Sequence, residues 1–511
     1  MASPAKENGV PPTLKKDGQL AEQFDIEPQA THDELGPTLA KEHSDYLLIR
    51  HGTLDLAPIP SASDADPYNW PTWKKIANLV LVAFHACMST FTAAAIIPAY
   101  GHIAEEFHIT IPKASYLTSL QIAILGGAPL FWKPLSSRFG RRPIFLLSLI
   151  CSLVGNVGCA KSPSYGTMGL CRAITAFFIS PAIAIGSAVV TETFFTKERA
   201  RYMGMWTMMI TLGIPVAALL FGFVAHRVGY RWIYWVLAIA NGVQFILYLF
   251  LGPETLYLRT NPGPQDSTST FKREYISFRR IDPKPFSVRD FLGPLKLAKY
   301  PSVTIPACAY SMIFLFGSVM ASVEVPTLFI PKFDFNPEQL GLQFLGLIIG
   351  SIIGEQLGGA LSDYWMNRRA RQKGARPDPE YRLWLSYFGY VLAIVGVIVF
   401  LVRTEQAPQH KWNVTPIIGV GIAACGNQLV TTVLITYAVD CCQEQSANVG
   451  VYITLVRQIW GFIGPFWFPA MFEDVGIAAS SGVTSALMVG VAVIPTILLQ
   501  WQGAKWRPQP G

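Results

Sequence analysis

The chain has 511 residues, 51% of them hydrophobic and only 14% charged, with a formal net charge of +7. Soluble domains usually carry about 25% charged residues, so this balance and a mean hydropathy of +0.35 argue against an ordinary soluble protein. The basic residues lie at loop ends rather than in one stripe, which gives no indication of nucleic-acid binding.

Residues 1–73 are polar and rich in Pro, Ser and Asp. Such a segment buries too little apolar surface to fold alone, which predicts a disordered tail. The tail ends near Trp70, Trp73, Lys74 and Lys75. Because Trp suits the headgroup layer of a membrane and Lys its cytoplasmic side, a first membrane helix is expected to begin here.

Twelve apolar segments follow the tail, each of a length that suits a helix of about 20 residues crossing a bilayer core of roughly 30 Å. Several contain Gly or Pro, which membrane helices tolerate. A soluble protein would need twelve buried helices without amphipathic stripes, so we predict an all-α membrane protein with twelve transmembrane helices. The predicted spans are 76–97, 114–133, 143–160, 166–190, 202–225, 232–251, 302–325, 340–361, 383–402, 414–438, 448–471 and 480–501.

The basic residues of the loops predict the orientation of these helices. If the N-terminus is cytoplasmic, the inner loops hold 21 Lys and Arg and the outer loops hold 7. This bias predicts that both termini are cytoplasmic. Asn413-Val414-Thr415 is then a glycosylation sequon on the outer side, with Asn413 as the candidate for modification.

A short basic turn occurs twice between apolar segments. The first copy is Ser136-Ser137-Arg138-Phe139-Gly140-Arg141-Arg142-Pro143, and the second runs from Gly359 through Asp363 to Arg368. Parallel repeats of this kind recur in secondary transporters and predict two similar halves. The predicted parts are a cytoplasmic tail (1–73), a six-helix bundle (74–251), a cytoplasmic linker (252–300), a second six-helix bundle (301–502) and a short tail (503–511).

The sequence lacks the motifs of ATP-driven pumps and of several enzyme classes. It contains no phosphate loop, no His-Glu-x-x-His and no Gly-x-Ser-x-Gly element. Its eight cysteines have no metal-ligand spacing with histidines, and most lie inside apolar segments, as small hydrophobic residues do. We therefore expect neither catalysis nor a metal or other cofactor.

Four further motifs occur in a fixed order at the ends of the predicted spans. They are Leu170-Cys171-Arg172, Glu198-Arg199-Ala200-Arg201, Gly229-Tyr230-Arg231-Trp232-Ile233-Tyr234-Trp235 and Gly252-Pro253-Glu254-Thr255. With the inner turns, they make residues 66–501 resemble the major facilitator superfamily, and more narrowly its fungal twelve-span drug:proton antiporters. The resemblance implies the major facilitator fold, alternating access and a proton gradient as the driving force. We expect a monomer in the plasma membrane.

The basic turns are predicted to latch the two halves in one conformation. Their arginines can pair with carboxylates or with the carbonyl ends of helices and release them in the other conformation. They can equally serve only to fix topology, and both roles stay open. The first turn also departs from the family pattern, which has Gly and Asp where this chain has Pro134 and Ser137. The predicted latch residues are Arg138, Gly140, Arg141, Arg142, Gly359, Asp363 and Arg368.

Ionisable residues inside the spans are costly to bury and are therefore candidates for proton coupling. Arg457 lies about 14 Å into the eleventh span at 1.5 Å per residue, and it is expected to pair with a carboxylate or with substrate. Glu324 and Glu355 lie in the seventh and eighth spans, where desolvation favours a neutral acid that can carry a proton. Glu355 is the preferred coupling acid. By the resemblance, Arg172 matches an arginine implicated in proton transfer.

Polar and aromatic residues inside the spans are predicted to line a substrate cavity, where they supply hydrogen bonds and flat apolar surfaces. His85 lies at about midplane depth and can titrate near physiological pH, although a lone histidine is more often a packing residue. The other candidates are Gln121, Trp206, Tyr310, Asn427, Gln428 and Trp460.

A ladder of glycines on the eighth span allows another helix to approach closely; its members are Gly346, Gly350, Gly354 and Gly358. One interpretation is tight packing. The other is a sliding seam between the halves, in which case Gly354→Leu blocks transport and leaves the protein folded.

The sequence as a whole predicts a proton-coupled carrier of small organic molecules that exports drugs, toxins or secondary metabolites. Two alternatives stay open, namely an importer of polyamines or other organic cations and a membrane sensor without net transport. The fifth span carries Gly213-Ile214-Pro215 where related antiporters carry paired Gly-Pro steps, which leaves the direction of transport undecided.

Overall fold

The computed structural model describes residues 41–257, 275, 280–281, 287–373, 378–442 and 445–507. Within these residues the regular secondary structure is helical, without a strand. In the described ranges, twelve spans are long and apolar enough to cross a membrane, which confirms the predicted number. In chain order they are Thr72–Glu106, Ile111–Phe139, Arg142–Ala160, Tyr165–Thr193, Thr196–Arg227, Arg231–Leu251, Pro301–Phe333, Pro337–Gln372, Pro379–Gln406, Thr415–Cys441, Ser446–Val475 and Ile477–Trp506.

Some spans are interrupted where proline enters or where the helix widens. The α-helix of the first span, Thr72–Ala94, ends shortly before Pro98, which has no backbone N–H for a helical hydrogen bond. The fourth span is broken in the same way just before Pro181. Such breaks leave backbone carbonyls free for other partners. Wider π-helical turns occupy Leu315–Met320 in the seventh span and Val489–Val493 in the twelfth.

The packing of the spans repeats from one half of the chain to the other. The first span packs against the fourth and fifth, as the seventh packs against the tenth and eleventh. The third packs against the fourth and sixth, as the ninth packs against the tenth and twelfth. Between the halves, the second span meets the eleventh and the fifth meets the eighth. The fold therefore consists of two equivalent six-helix bundles, as the repeated turn predicts.

The two bundles meet most closely toward one end of the spans. We call the end at which the sixth span connects to the seventh the linker face, and the other end the opposite face. Near the linker face, Lys133 donates a hydrogen bond to Asn448 Oδ1 across the bundles (2.6 Å). Toward the opposite face the bundles pack directly on one another. The contacts there join Gly222 to Gly341, Gly101 to Ile330, Tyr116 to Phe466 and Arg227 to Glu338.

Part of the predicted tail is ordered and packs at the linker face of the first bundle. Tyr68 is 2% exposed, donates a hydrogen bond to the carbonyl of Thr191 (2.5 Å) and stacks on Phe195. The prediction of disorder is therefore wrong for 41–73, because a few aromatic residues find partners on the bundle; residues 1–40 lie outside the described range. The helical segments of this part are Lys41–His51 and Pro67–Asn69.

The second copy of the basic turn is a continuous helix rather than a turn. The helix Pro337–Lys373 runs on through Gly359 and Arg368, since no proline interrupts this stretch. The first copy does form a turn, and Gly140 ends the helix of the second span with φ of +96°, a conformation that favours glycine. The predicted equivalence of the two turns is therefore wrong at the level of the backbone.

The glycine ladder of the eighth span packs against the tenth span of its own bundle. A Cβ at Gly350 would overlap the backbone of Gly421, and a Cβ at Gly354 would lie 2.5 Å from the carbonyl oxygen of Cys425. The tight-packing interpretation is confirmed, and the proposed seam between the halves is wrong. The glycines that let the bundles approach each other are instead Gly222 and Gly341.

Candidate functional site

Arg141, just before the third span, is the centre of a buried cluster at the linker face. Its guanidinium donates to Glu192 Oε1 at the end of the fourth span (2.7 Å) and to Ser136 Oγ at the end of the second (2.7 Å). Burial lowers the pKa of Arg141, but the carboxylate of Glu192 more than offsets this, so the pKa lies above its ordinary value. The ion pair ties three spans of one bundle together.

Glu254 completes this cluster from the segment that follows the sixth span. Its carboxylate accepts the backbone N–H groups of Arg141 (2.8 Å), Arg142 (3.0 Å) and Leu256 (2.9 Å). Two of these belong to the start of the third helix, where N–H groups lack helical partners. A Cβ at Gly140 would overlap the carboxylate, so this close approach also requires glycine. Burial raises the pKa of Glu254, and the three N–H groups oppose that rise.

The other two arginines of the first turn hold the linker. Arg142 donates to the carbonyls of Leu249 (2.8 Å) and Tyr275 (3.2 Å), and Arg138 pairs with Asp290 (3.1 Å). These bonds join the turn to its own bundle and to the linker. The latch residues predicted in the first turn thus lie together in this structure, and their partners Glu254 and Asp290 come from distant segments that sequence reasoning did not identify.

The second bundle repeats the arginine cluster with different residues from those predicted. Arg382, in the first turn of the ninth span and just before its α-helix Trp384–Gln406, donates to Ser362 Oγ (2.8 Å) and pairs with Asp440 at the end of the tenth span (3.4 Å). Arg382, Ser362 and Asp440 therefore correspond to Arg141, Ser136 and Glu192. Sequence reasoning missed Arg382, although its place directly before the predicted span 383–402 was a usable signal.

The residues predicted for this second cluster lie elsewhere. Gly359 is inside a helix, and a Cβ there would meet open space. Arg368 is exposed on the extension of the same helix. The side chain of Asp363 lies outside the described part of the chain. The prediction of a second latch at Gly359 and Arg368 is therefore wrong.

Arg172 is 1% exposed and holds three spans of the first bundle together. It donates to the carbonyl of Leu117 in the second span (3.2 Å), to that of Ala93 in the first (3.2 Å) and to the hydroxyl of Tyr234 in the sixth (3.5 Å). Ala93 is in the last turn of its helix, where carbonyls lack helical partners. Arg172 is thus a bonded core cation, and it does not reach the surface.

Glu324 in the seventh span is completely buried where the bundles meet. Its helix packs against the first and second spans of the other bundle, and Tyr100 of the first span is an electrostatic neighbour. Neither carboxyl oxygen meets a partner at hydrogen-bonding geometry among the described residues, although the hydroxyl of Thr327 is near. Burying a neutral polar group unpaired costs roughly 2–7 kcal/mol, and burying an ionised carboxylate costs far more. This environment favours the protonated acid.

Glu355 in the eighth span keeps partial access to its surroundings. Gln428 of the tenth span donates to its carboxylate (3.3 Å), and Asn427 in turn donates to the side-chain oxygen of Gln428 (3.3 Å). Glu355 is therefore a hydrogen-bonded acid within the second bundle, in contrast with the unpartnered Glu324. The predicted residues Glu355, Asn427 and Gln428 form one cluster.

Arg457 in the eleventh span is half-buried and donates to the hydroxyl of Tyr310 in the seventh span (3.0 Å). Its guanidinium carbon lies 4.7 Å from the ring centre of Phe314 and 5.8 Å from that of Tyr310. Among the described residues no carboxylate pairs with it. The expected contact between Arg457 and a carboxylate is therefore absent from this conformation, and Arg457 and Tyr310 form a second cluster.

Two predicted cavity residues, His85 and Trp206, lie inside the first bundle. His85 is fully buried, its Nε2 is 2.9 Å from Ser148 Oγ in the third span, and its ring packs on Phe145. The histidine therefore faces away from the other bundle, and the prediction of a cavity role is wrong for it. Trp206 packs closely on Gly186 of the fourth span.

Gln121 and Trp460 differ in their accessibility. Gln121 is fully buried, and neither polar atom of its amide has a hydrogen-bond partner in the described part of the chain. Trp460 is half-buried against the large apolar core that both bundles share. Asn413 is exposed and accepts a hydrogen bond from the N–H of Thr415 (3.0 Å), and its modification stays a prediction.

Comparison with known proteins identifies the family of the chain. The sequence model of the Major Facilitator Superfamily matches residues 80–465. Relatives include the MFS transporter cpaT of Aspergillus oryzae (25% identity over 87% of this chain and 90% of the relative) and the efflux pump radE of Floropilus chiversii (24%, 87% and 83%). A third is the efflux pump FUB11 of Gibberella moniliformis (27%, 84% and 73%). These matches confirm the resemblance drawn from the sequence.

A solved structure shares the fold. It is a bacterial homolog of the human lysosomal transporter Spinster, in an inward-facing and unoccupied conformation. The TM-score is 0.62 at 15% sequence identity, and the similarity covers 86% of this chain and 100% of that one. At this identity the likeness supports the architecture of two bundles and carries nothing about substrate.

Proposed function

Because the chain belongs to the Major Facilitator Superfamily, a family of membrane transporters, we propose that it exports small organic molecules in exchange for protons. Two of its fungal relatives are named efflux pumps, and this supports the direction of transport. We assign the protein to the plasma membrane as a monomer.

We assign the linker face to the cytoplasm, which places both termini inside the cell. The excess of Lys and Arg in the loops at this face supports the assignment. The bundles pack directly on one another toward the opposite face, so this conformation is closed toward the outside. An exporter loads its cargo from such a state, and it releases the cargo after the two bundles rock about the central site.

The single observation that carries proton coupling is the unpartnered, buried carboxyl of Glu324. Closing the outer side buries this group between the bundles. Because an ionised carboxylate would be very costly there, closure requires a proton on Glu324. The proton is taken up while the outer side is open, so each return to the inward-open state brings a proton from outside.

We assign the second protonation site to Glu355. This acid is only partly buried, and Gln428 donates a hydrogen bond to its carboxylate. Both features favour the charged form more than the surroundings of Glu324 do. Glu355 and Glu324 belong to the same bundle, on its eighth and seventh spans. Arg172, bonded to three spans, keeps the first bundle rigid during the exchange of substrate for protons.

The test is transport in proteoliposomes with an imposed pH gradient and a labelled panel of organic anions, cations and neutral compounds. The proposal expects accumulation of one class against its gradient when protons flow the opposite way. Accumulation together with inward protons would support an importer instead. Transport without any dependence on the pH gradient, or binding without transport, would refute the proposed exchange.

A further inference from the structure

Arg457 is a cation inside a membrane span, and most of its hydrogen-bond donors are unused by the described chain. A guanidinium has five N–H groups, and only the bond to Tyr310 is formed within the described chain. Its Nε is buried without a partner. The second terminal nitrogen has no described bond and is not buried, which leaves it accessible. Several donors of one fixed cation are thus available to a ligand.

The aromatic rings beside Arg457 orient the guanidinium without neutralising it. Phe314 lies at 4.7 Å and Tyr310 at 5.8 Å from the guanidinium carbon. A cation–π contact contributes about 0.5–2 kcal/mol, which is small beside the cost of holding a charge inside a membrane protein. The charge is therefore held in place and still lacks a counter-ion.

The two carboxylates proposed for proton coupling are engaged or enclosed elsewhere. Glu355 accepts its bond from Gln428, and Glu324 is fully buried at the meeting of the bundles. Neither forms an ion pair with Arg457. In contrast, Arg172 and Arg141 are satisfied by carbonyls and by a carboxylate.

Arg457 also stands beside the interface between the bundles. The next residue, Gln458, packs against Gly126 of the second span, where a Cβ would lie only 2.5 Å from the Cβ of Gln458. This part of the eleventh span therefore touches the first bundle. Successive side chains of a helix point about 100° apart, so Arg457 points away from that contact and toward Tyr310 of the seventh span. The cation thus borders the region that rocking of the bundles opens and closes.

We propose that Arg457 is the anion-binding group of the transport site, and that the exported molecule carries a carboxylate on a flat apolar body. The guanidinium binds the carboxylate through its unused N–H groups, and the half-buried ring of Trp460, three residues further along the same helix, offers flat surface to the body. The inference rests on the proposed export function and names its substrate class. Polyamines would bring like charge to Arg457, so this site does not suit them.

The experiment measures binding of three matched probes to the purified full-length protein by calorimetry. The probes are naphthalene-2-carboxylate, its neutral carboxamide and naphthalen-2-ylmethylamine, a cation. Arg457→Gln removes the charge, Arg457→Lys keeps a charge without the fork of donors, and Arg403→Gln changes an exposed arginine as the control. We expect the wild-type protein and the control to bind the carboxylate about tenfold or more tightly than the carboxamide.

Arg457→Gln should bring the carboxylate and carboxamide to similar affinity, and Arg457→Lys should lie between. Equal weakening of all three probes would make Arg457 a positioning residue and overturn the proposal. So would tighter binding of the cation, or no binding of the carboxylate to the wild-type protein.

The same variants separate this proposal from the export function. Accumulation of the carboxylate by the wild-type protein under the pH gradient tests the export function, whereas the ratio of carboxylate to carboxamide affinity in Arg457→Gln tests the binding group. A preference for the carboxylate in a protein without proton-driven transport would refute only the export function.

Discussion

Arg172 and Arg457 are both guanidinium groups inside membrane spans, yet their surroundings assign them different tasks. Arg172 is bonded to two carbonyls and a hydroxyl from three spans, whereas Arg457 has one bond and free donors. A buried polar group that is fully satisfied stiffens a structure, and one with unused donors is available to a ligand. Two residues of one type therefore serve as a structural centre and as a binding group.

Replacement of Arg172 should reduce stability more than a loss of surface charge does. Arg172→Gln removes several charge-assisted hydrogen bonds worth about 1.5–3 kcal/mol each, so the melting temperature should fall on the order of 5–10 °C. Thermal unfolding in detergent checks this, with Arg403→Gln as the exposed control. An unchanged melting temperature would show that the three spans do not depend on this residue.

For a single residue within a span, the sequence predicted its depth in the membrane and its chemical type, but not its contacts. The rise of a helix gave the depth of Arg457, and the cost of burying charge selected Glu324 and Glu355. The rotation of a side chain and its partners depend on other spans. This is why His85, at the right depth, faces Ser148, and why Glu254 was missed as a partner of the first turn.

Glycines of one helix differ in how closely other atoms approach them, because the neighbouring spans determine the space around each one. Gly354 lies against the backbone of the tenth span, and Gly359, five residues later, borders open space. The pattern of glycines in the sequence indicates close packing but does not name the helix that approaches.

Gly354→Leu should destabilise the second bundle, since its side chain would enter backbone that cannot move aside. Overpacking typically costs 1–3 kcal/mol, which corresponds to a fall in melting temperature of roughly 5 °C or more. Gly359→Leu is the matched control and should unfold like the wild-type protein. A folded, thermally unchanged Gly354→Leu protein that has lost transport would instead restore the idea of a sliding seam.

The ordered segment 41–71 is an element that composition did not predict. A polar sequence of this kind cannot form its own core, but Tyr68 and neighbouring residues pack on the first bundle instead. Tyr68→Ala should therefore release the segment and increase its hydrogen–deuterium exchange, whereas Tyr364→Ala, at an exposed site, should leave it unchanged. Fast exchange of the segment in the wild-type protein would contradict its docking.

The whole molecule alternates between states only if the contact at the opposite face can open and close. Repeated motifs and apolar lengths predicted the two bundles and their twelve spans, because both follow from the dimensions of the bilayer. Sequence did not reveal which face is closed. That depends on the approach of Gly222 to Gly341, two glycines in different halves.

Gly341→Val should hold the opposite face open, because a Cβ there already lies 2.9 Å from the carbonyl oxygens of Ala218 and Leu219. Spin labels at Val228 and Lys411, in a background without native cysteines, should report a longer distance across that face than in the unmodified protein. Gly127→Val, where a Cβ meets open space, is the control. An unchanged distance in Gly341→Val would show that this contact does not close the face.

We propose that the opposite face closes only when Glu324 carries a proton, and Glu324→Gln tests this most directly. Glutamine imitates the protonated acid, so the variant should lose substrate accumulation driven by a pH gradient and keep downhill exchange of substrate. Glu105→Gln, at an exposed site, is the control and should keep both activities. The measurement is substrate accumulation in proteoliposomes with and without the gradient. Accumulation by Glu324→Gln at the wild-type level under the same gradient would contradict the claim.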